Sequence, residues 1–194
     1  MRIKKEIRIL GFDDSPFRPR SGEKIPVIGV IYRGGNFLDG ILKCEITVDG
    51  LDATENIVKL INSSRHKEEI RVIMFKGVTI GGFNLIDIKE IFEKTKIPVI
   101  VITRKKPNLK KIKNALMNFS DWKERLDLIR RAGKIYKMEI KKNKNLYYQF
   151  IGLKRGEVDE ILKISCTRSL IPESLRVAHL IASAIVKGES KGRA

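Results

Sequence analysis

The sequence lacks the features of secreted and membrane-spanning proteins. Its 194 residues include two cysteines, Cys44 and Cys166, which are too few for a disulfide framework and do not form a Cys-x-x-Cys pair. No apolar run reaches the roughly 18 residues that a bilayer span requires. The charged N-terminus also lacks the apolar core of a secretory signal. We therefore expect a soluble, cytoplasmic protein with no membrane partner.

Aromatic side chains and nucleotide-binding motifs are also scarce. Aromatic residues make up 7% of the chain, which argues against a platform that binds single strands by stacking. The glycine-rich segment 77–84 does not have the Gly-x-x-x-x-Gly-Lys-Ser/Thr pattern of a phosphate-binding loop, and no lysine begins the helix predicted after it. We therefore expect no nucleoside triphosphate site.

Basic residues, by contrast, are in large excess. Forty lysines and arginines against 23 acidic residues give a net charge of +17. A positive field of this size attracts polyanions, and nucleic acid is the usual partner. A charged surface is also typical of heat-adapted proteins, but ion-pair networks need a more even balance of charges. DNA or RNA is therefore the expected partner.

The order of predicted strands and helices indicates the fold. Three β-type runs come first, the last two joined across a Gly-Gly-Asn turn, and two nearly continuous apolar runs separated by helices follow at 70–75 and 97–103. Right-handed crossovers would place these two strands parallel to the first. We predict an α/β, ribonuclease-H-like fold: a mixed five-stranded sheet, three antiparallel strands then two parallel, with helices on both faces. Residues 1–194 form one domain with a small hairpin insertion around 134–153.

Acidic residues follow several of the predicted strands. Asp13 and Asp14 end the first strand, whereas Asp49 and Asp52 lie between the third strand and the first helix. The carboxyl ends of parallel strands are the usual reactive edge of such a sheet, and several carboxylates there could hold Mg²⁺. Each acid also has a structural explanation, because Asp13-Asp14 and Asp49-Gly50 are turn sequences and Asp52 could cap a helix.

Basic side chains follow the other predicted strands and the last helix. Lys76 ends the fourth strand, and a basic cluster follows the fifth. On the last helix, a polar stripe could face the acidic edge or a phosphate, although such stripes are usually solvated. The candidate phosphate-binding residues are Arg104, Lys105, Lys106, Lys110, Lys111, Arg176 and His179.

Several segments of the sequence carry a resemblance to known proteins: 10–14, 48–54, 77–87, 98–107 and 171–182. With them, the chain resembles an archaeal family of uncharacterised proteins that is distantly similar to endonuclease V, and the resemblance covers nearly the whole sequence. Toward endonuclease V it depends on the strand order, the first-strand aspartate and the Pro-Glu-x-x-Arg-x-Ala-His pattern of the last helix.

The resemblance implies a ribonuclease-H-like enzyme that cuts near deoxyinosine or inosine with Mg²⁺ and a few carboxylates. It implies that Asp13 is the first metal ligand, Asp52 the second with Asp49 as its competitor, and Lys105 the lysine after the fifth strand. This sequence departs from the pattern at Lys76, which stands where the third carboxylate belongs. The aromatic-proline wedge before the first helix is also missing.

Two functions remain open at this stage. The sequence favours a nucleic-acid-binding protein on an endonuclease-V-like scaffold with a metal site weakened by Lys76, because an ammonium group repels a divalent cation. The alternative is a Mg²⁺-dependent endonuclease, a phosphodiesterase on DNA or RNA, with inosine-containing strands among its candidate substrates. In that enzyme, Asp13 and Asp52 would hold Mg²⁺, and Lys76 or Lys105 would stabilise developing negative charge.

Overall fold

A computed structural model describes residues 3–142 and 144–190. These residues form an α/β fold of nine strands and six α-helices, with a short 3₁₀ helix at Lys67–Glu69. The strands are β1 (Arg8–Asp14), β2 (Lys24–Arg33), β3 (Phe37–Thr47), β4 (Val72–Lys76), β5 (Thr79–Ile80), β6 (Asn84–Leu85), β7 (Val99–Thr103), β8 (Tyr136–Lys141) and β9 (Lys144–Ile151). The helices are α1 (Ala53–Ser63), α2 (Ile88–Thr95), α3 (Leu109–Leu116), α4 (Trp122–Arg131), α5 (Arg155–Ser165) and α6 (Glu173–Lys187).

The central strands confirm the predicted arrangement. β1, β2 and β3 form an antiparallel meander, and β4 pairs in parallel with β1 while β7 pairs in parallel with β4. In this register Phe12 lies opposite Phe75, and Met74 lies opposite Ile100. The carboxyl ends of the three parallel strands therefore lie at one edge of the sheet.

The prediction of five strands is wrong, because the main sheet has seven, in the order β3-β2-β1-β4-β7-β9-β8. The hairpin predicted around 134–153 forms as β8 and β9, but it continues the sheet. β9 pairs antiparallel with β7, which places Gln149 opposite Val101. Tyr148 and Leu146 of β9 are buried in the same cluster as α5, so the hairpin completes one face of the core.

Helices cover both faces of the sheet, because the inner strands direct apolar side chains alternately to each face and both sets are buried. Leu10 and Phe12 of β1 point into a cluster that includes α1 and α2. Ile9, on the opposite face of β1, joins a cluster with α5 and the start of α6. Strands buried on both faces have nearly continuous apolar sequences, which is the pattern of β4 and β7. Among the described residues, no helix is long and apolar enough to cross a membrane.

Candidate functional site

Asp13 and Lys76 lie side by side at the carboxyl edge of the sheet. Each follows the pair Phe12–Phe75, which stands in register on β1 and β4. Because side chains alternate along a strand, both residues project from the face opposite that pair. Both also border one small hollow, whose other lining residues are Asp14, Thr79 and, from the opposite face of the sheet, Phe12, Phe75, Ile80 and Ile86. The sequence prediction that Asp13 and Lys76 share this edge is therefore consistent with the geometry.

His179 reaches Asp13 from the last helix. Leu175, Ala178 and Ala182 of α6 are buried, and α6 packs across β1 and β2. The polar side of the same helix then presents the His179 ring, whose Nδ1 lies 2.9 Å from Oδ2 of Asp13. Asp13 is 8% exposed, whereas the His179 side chain is partly exposed. Of the two alternatives for this stripe, the one that faces the acidic edge is the one observed at His179.

Asp14 is the second acid of the hollow. Its Oδ2 accepts a hydrogen bond of 2.7 Å from the Gly81 backbone N–H. Burial, followed by the charge of neighbouring Asp13, raises the pKa of Asp14 from 3.8 to about 6. Two carboxyl groups that repel each other in this way form a site where a cation would be stabilised. The sequence analysis placed Asp14 at this edge but did not include it among the metal ligands.

Asp49 and Asp52 bind the loop between β4 and α2. Asp49 Oδ1 accepts a 2.7 Å hydrogen bond from the Phe83 N–H. Asp52 Oδ1 accepts a 2.6 Å hydrogen bond from the Asn84 side chain, and both of its oxygens also accept from Thr47. These hydrogen bonds lower the pKa of Asp52 against the effect of its burial, which is the largest influence and acts to raise it. Asp52 stands at the N-cap of α1 without a side-chain capping bond.

The acids at this edge thus divide into two sets. Asp13 and Asp14 line the hollow, whereas Asp49 and Asp52 use their oxygens to anchor the loop that carries Phe83. Within residues 3–142 and 144–190, no three His, Cys, Asp or Glu side chains are grouped closely enough to hold a metal ion. The structure therefore does not group Asp13 with both Asp49 and Asp52, the two alternatives for the second ligand.

Arg125 is an anchor that the sequence analysis missed. It projects from α4, is 5% exposed, and donates to the backbone carbonyl groups of Asp49, Gly50 and Phe83 at 3.0, 3.2 and 2.6 Å. Its charge is balanced by Asp121, 2.8 Å away. A single side chain therefore holds the two loops that flank the acids. The sequence did not indicate this role for Arg125, because most arginines in amphipathic helices are exposed to solvent.

Apart from His179, the predicted phosphate-binding residues fall into two groups. Those after β7 are exposed: Arg104, Lys105, Lys106, Lys110 and Lys111. Arg176, in contrast, is engaged by the buried Glu173, whose Oε2 accepts two hydrogen bonds of 2.8 and 2.7 Å from the guanidinium. The exposed group is free to meet a polyanion at the same edge as Asp13.

A larger cavity adjoins the acidic hollow. It has a volume of about 440 Å³, and Thr79 lines both spaces. Apolar side chains from the β4–α2 loop, β7, α3 and α4 form most of its wall. Lys105, Lys106 and Arg130 are the basic residues of the wall, and Gln149 is its buried amide.

Comparison with known proteins shows the family to which the sequence is similar. The family model for Endonuclease dU matches residues 5–186. A UPF0215 protein of Methanothermobacter thermautotrophicus is 52% identical over 194 residues, covering 100% of this chain and 94% of the relative.

Solved structures show the same fold. A crystal structure of an Archaeoglobus fulgidus protein of unknown function is similar with a TM-score of 0.83 and 38% identity, covering 93% of this chain and 99% of that one. Ciona intestinalis endonuclease V, bound to DNA containing an inosine, is similar with a TM-score of 0.61 and 12% identity, covering 93% and 86%. The latter similarity is one of fold, and it confirms the structural part of the predicted resemblance to endonuclease V. By the match of its family model and of its archaeal relatives over nearly the whole sequence, the chain belongs to the Endonuclease dU family.

Proposed function

We propose that this protein is an endonuclease that binds DNA and cuts its backbone at deoxyuridine, using the edge formed by Asp13 and Asp14. The observation that carries the proposal is the partly buried Asp13–His179 pair, 2.9 Å across, beside a second carboxyl group at the end of the central strand. Membership of the Endonuclease dU family supports deoxyuridine as the substrate. This assignment replaces inosine, which the resemblance to endonuclease V implied, as the first substrate to test.

A Mg²⁺ ion fits the two carboxylates of the hollow better than it fits the predicted pairing of Asp13 with Asp52, or with Asp49 in its place. Mg²⁺ is usually held through one or two carboxylates, with water and substrate phosphate as its other ligands. Asp13 and Asp14 supply two carboxylates, and burial, followed by the charge of Asp13, raises the pKa of Asp14 to about 6. Asp49 and Asp52 each accept hydrogen bonds on both carboxylate oxygens, whereas Asp14 accepts from the Gly81 N–H on Oδ2.

The side chains around this pair have distinct tasks. Bound Mg²⁺ would supply charge stabilisation and a water of lowered pKa. His179, held by Asp13, is placed to accept or donate a proton through Nε2, the ring nitrogen that does not contact the carboxylate. Lys76 lines the same hollow, where its positive charge would lie beside the scissile phosphate. Lys105 lies farther along the edge, in the wall of the larger cavity, where it would bind a neighbouring phosphate.

The basic surface supports DNA or RNA binding in general. The chain carries a net charge of +17, and the cations after β7 are exposed beside the hollow. Neutralising several phosphates releases counterions, so log affinity should fall linearly with log salt concentration. We expect binding to weaken by orders of magnitude between about 50 and 200 mM salt. A flat salt response would contradict the electrostatic part of the proposal.

The cleavage assay uses three end-labelled duplexes that are identical except for one deoxyuridine, deoxyinosine or thymidine. Each duplex is incubated with the full chain in Mg²⁺ or in EDTA, and an Asp13→Asn preparation purified in parallel controls for contaminating nucleases. We expect Mg²⁺-dependent cutting of the deoxyuridine strand that the variant lowers by about 100-fold or more. Equal cutting of all three duplexes would contradict the substrate assignment, and cutting by the variant would contradict the site.

Binding without cleavage is the second candidate, and it is the function favoured by the sequence. One observation supports it: Lys76 lines the hollow where a third carboxylate would complete a metal site. In this case the protein would bind nucleic acid with the same salt dependence but leave every duplex intact in Mg²⁺. The same assay therefore separates the two candidates.

A further inference from the structure

The large cavity beside the acidic hollow has the size and position of a pocket for a nucleobase. Its volume of about 440 Å³ is within the range of small-molecule sites, and its wall is mainly apolar. Thr79 borders both the cavity and the hollow of Asp13, so a nucleotide whose base entered the cavity would keep its phosphate near the acids. The basic residues of the wall, Lys105, Lys106 and Arg130, suit the phosphates on either side of that nucleotide.

One polar side chain of the cavity is fixed in place. Gln149 is 8% exposed, and its Nε2 donates a 2.7 Å hydrogen bond to the carbonyl oxygen of Gly133. Because the amide nitrogen is held in this way, the amide oxygen, Oε1, has a defined orientation. Among the described residues no donor to that oxygen is observed, and the oxygen is not fully enclosed, so it can meet a ligand in the cavity. The cavity thus presents a hydrogen-bond acceptor at a fixed position in an apolar wall.

An acceptor at this position distinguishes deaminated bases from their parents. Uracil carries N3–H, a donor, where cytosine has a ring nitrogen that is an acceptor. Hypoxanthine carries N1–H where adenine likewise has an acceptor. A glutamine oxygen accepts a hydrogen bond from the ring N–H of the deaminated base. With the parent base, the same oxygen would face the lone pair of a ring nitrogen, which is unfavourable. Uracil and thymine share N3–H, so this contact separates uracil from cytosine.

An aromatic ring is also available for stacking. Phe83 lines the cavity, packs edge-on against Phe119 at 5.5 Å, and has its carbonyl held by Arg125 at 2.6 Å. Stacking of a base on such a ring contributes about 1–3 kcal/mol and does not depend on which base is present. Phe83 would therefore supply affinity, while Gln149 supplies selectivity.

We propose that Gln149 is a specificity-determining residue, which accepts a hydrogen bond from the ring N–H of a deaminated base seated in the cavity. This inference rests on the proposed function and adds the group that separates uracil from cytosine. It is tested without cleavage, so the two can fail separately.

The test measures the affinity of the full chain for fluorescent single strands by anisotropy, in EDTA and at low salt. The strands are identical except for one deoxyuridine, deoxycytidine or N3-methyldeoxyuridine, in which a methyl group replaces the donor hydrogen. We expect the wild-type protein to bind the deoxyuridine strand about tenfold more tightly than either other strand, since an unmatched buried acceptor costs this much. In Gln149→Leu, the three affinities should become equal. Asn145→Leu, on the same strand but outside the cavity wall, should keep the wild-type preference.

The outcomes are separable. Equal binding of deoxyuridine and N3-methyldeoxyuridine by the wild-type protein overturns the role of Gln149, and this comparison needs no variant, so it decides the matter even if Gln149→Leu fails to fold. A Gln149→Leu protein that folds and keeps the tenfold preference also overturns it. If Mg²⁺-dependent cutting at deoxyuridine is intact in those cases, the proposed function stands. Failure of the wild-type protein to bind any strand overturns both.

Discussion

Replacing Asp14 by asparagine should stabilise the protein at neutral and alkaline pH. The Asp14 carboxyl group is buried next to Asp13, which raises its pKa in the folded state from 3.8 to about 6. The folded protein therefore holds this proton more tightly than the unfolded chain does. As the pH rises from about 4 through 6, the free energy of unfolding must fall, because ionisation is less favourable in the folded state.

The size of the effect follows from the pKa difference. A shift of about 2 units corresponds to about 3 kcal/mol, since each unit contributes about 1.4 kcal/mol. Asparagine has no charge to bury, and its side-chain oxygen can still accept the 2.7 Å hydrogen bond from the Gly81 N–H. Asp14→Asn should therefore gain up to about 3 kcal/mol over the wild type at pH 8 and almost nothing near pH 4.

Urea denaturation of the wild type and of Asp14→Asn at pH 4, 6 and 8 measures this difference in stability directly. Asp127→Asn is a suitable control, because Asp127 is exposed on α4 and its removal should change stability little at any pH. If the proposed function is right, Asp14→Asn should also lose cleavage activity while gaining stability. A stability difference that does not change with pH, or an Asp14→Asn variant that is less stable than the wild type at pH 8, would refute the reasoning.

Three further substitutions test other parts of the site. Arg125→Met leaves three backbone carbonyl groups without a donor and should cost about 3–5 kcal/mol in urea denaturation, whereas Arg130→Met, on the exposed side of the same helix, should cost little. Gly82→Ala adds a Cβ 2.3 Å from the Asp49 carboxylate at a φ of +84°, so the loop should loosen and amide hydrogen exchange there should accelerate; unchanged exchange would contradict the close approach. Lys76→Asp supplies a third carboxylate and should raise Mg²⁺ affinity in calorimetric titration; an unchanged affinity would show that Lys76 does not weaken the site.

The sequence predicted those features that depend on local pattern. Continuous apolar runs identified the buried parallel strands, and the chain order then placed Asp13 beside Lys76 at one edge. The apolar stripe of α6, with Leu175 and Ala178 buried, followed from helical spacing, and the same spacing brought His179 to the polar side.

Features that depend on distant contacts were beyond the sequence. β9 joins β7 only after two intervening helices, and an antiparallel pairing of that kind leaves no periodic signal in the chain. The partners of Asp49 and Asp52 lie in a loop more than 30 residues away, so turn and cap preferences could not show that these acids anchor Phe83 and Asn84. Gln149 gave no local signal for a ligand, because its importance comes from a cavity formed by several separate segments.

The most direct test of the account compares two aspartates in one assay. Single-turnover cutting of a deoxyuridine duplex in Mg²⁺ is measured for the wild type, Asp13→Asn and Asp52→Asn. In the latter variant, the asparagine oxygen can still accept the hydrogen bonds from Thr47 and Asn84 that hold the loop. We predict that Asp13→Asn loses about 100-fold or more in rate while Asp52→Asn stays within a few-fold of the wild type. A rate loss in Asp52→Asn as large as that in Asp13→Asn, in a protein that remains folded, would contradict the assignment of the site to Asp13 and Asp14.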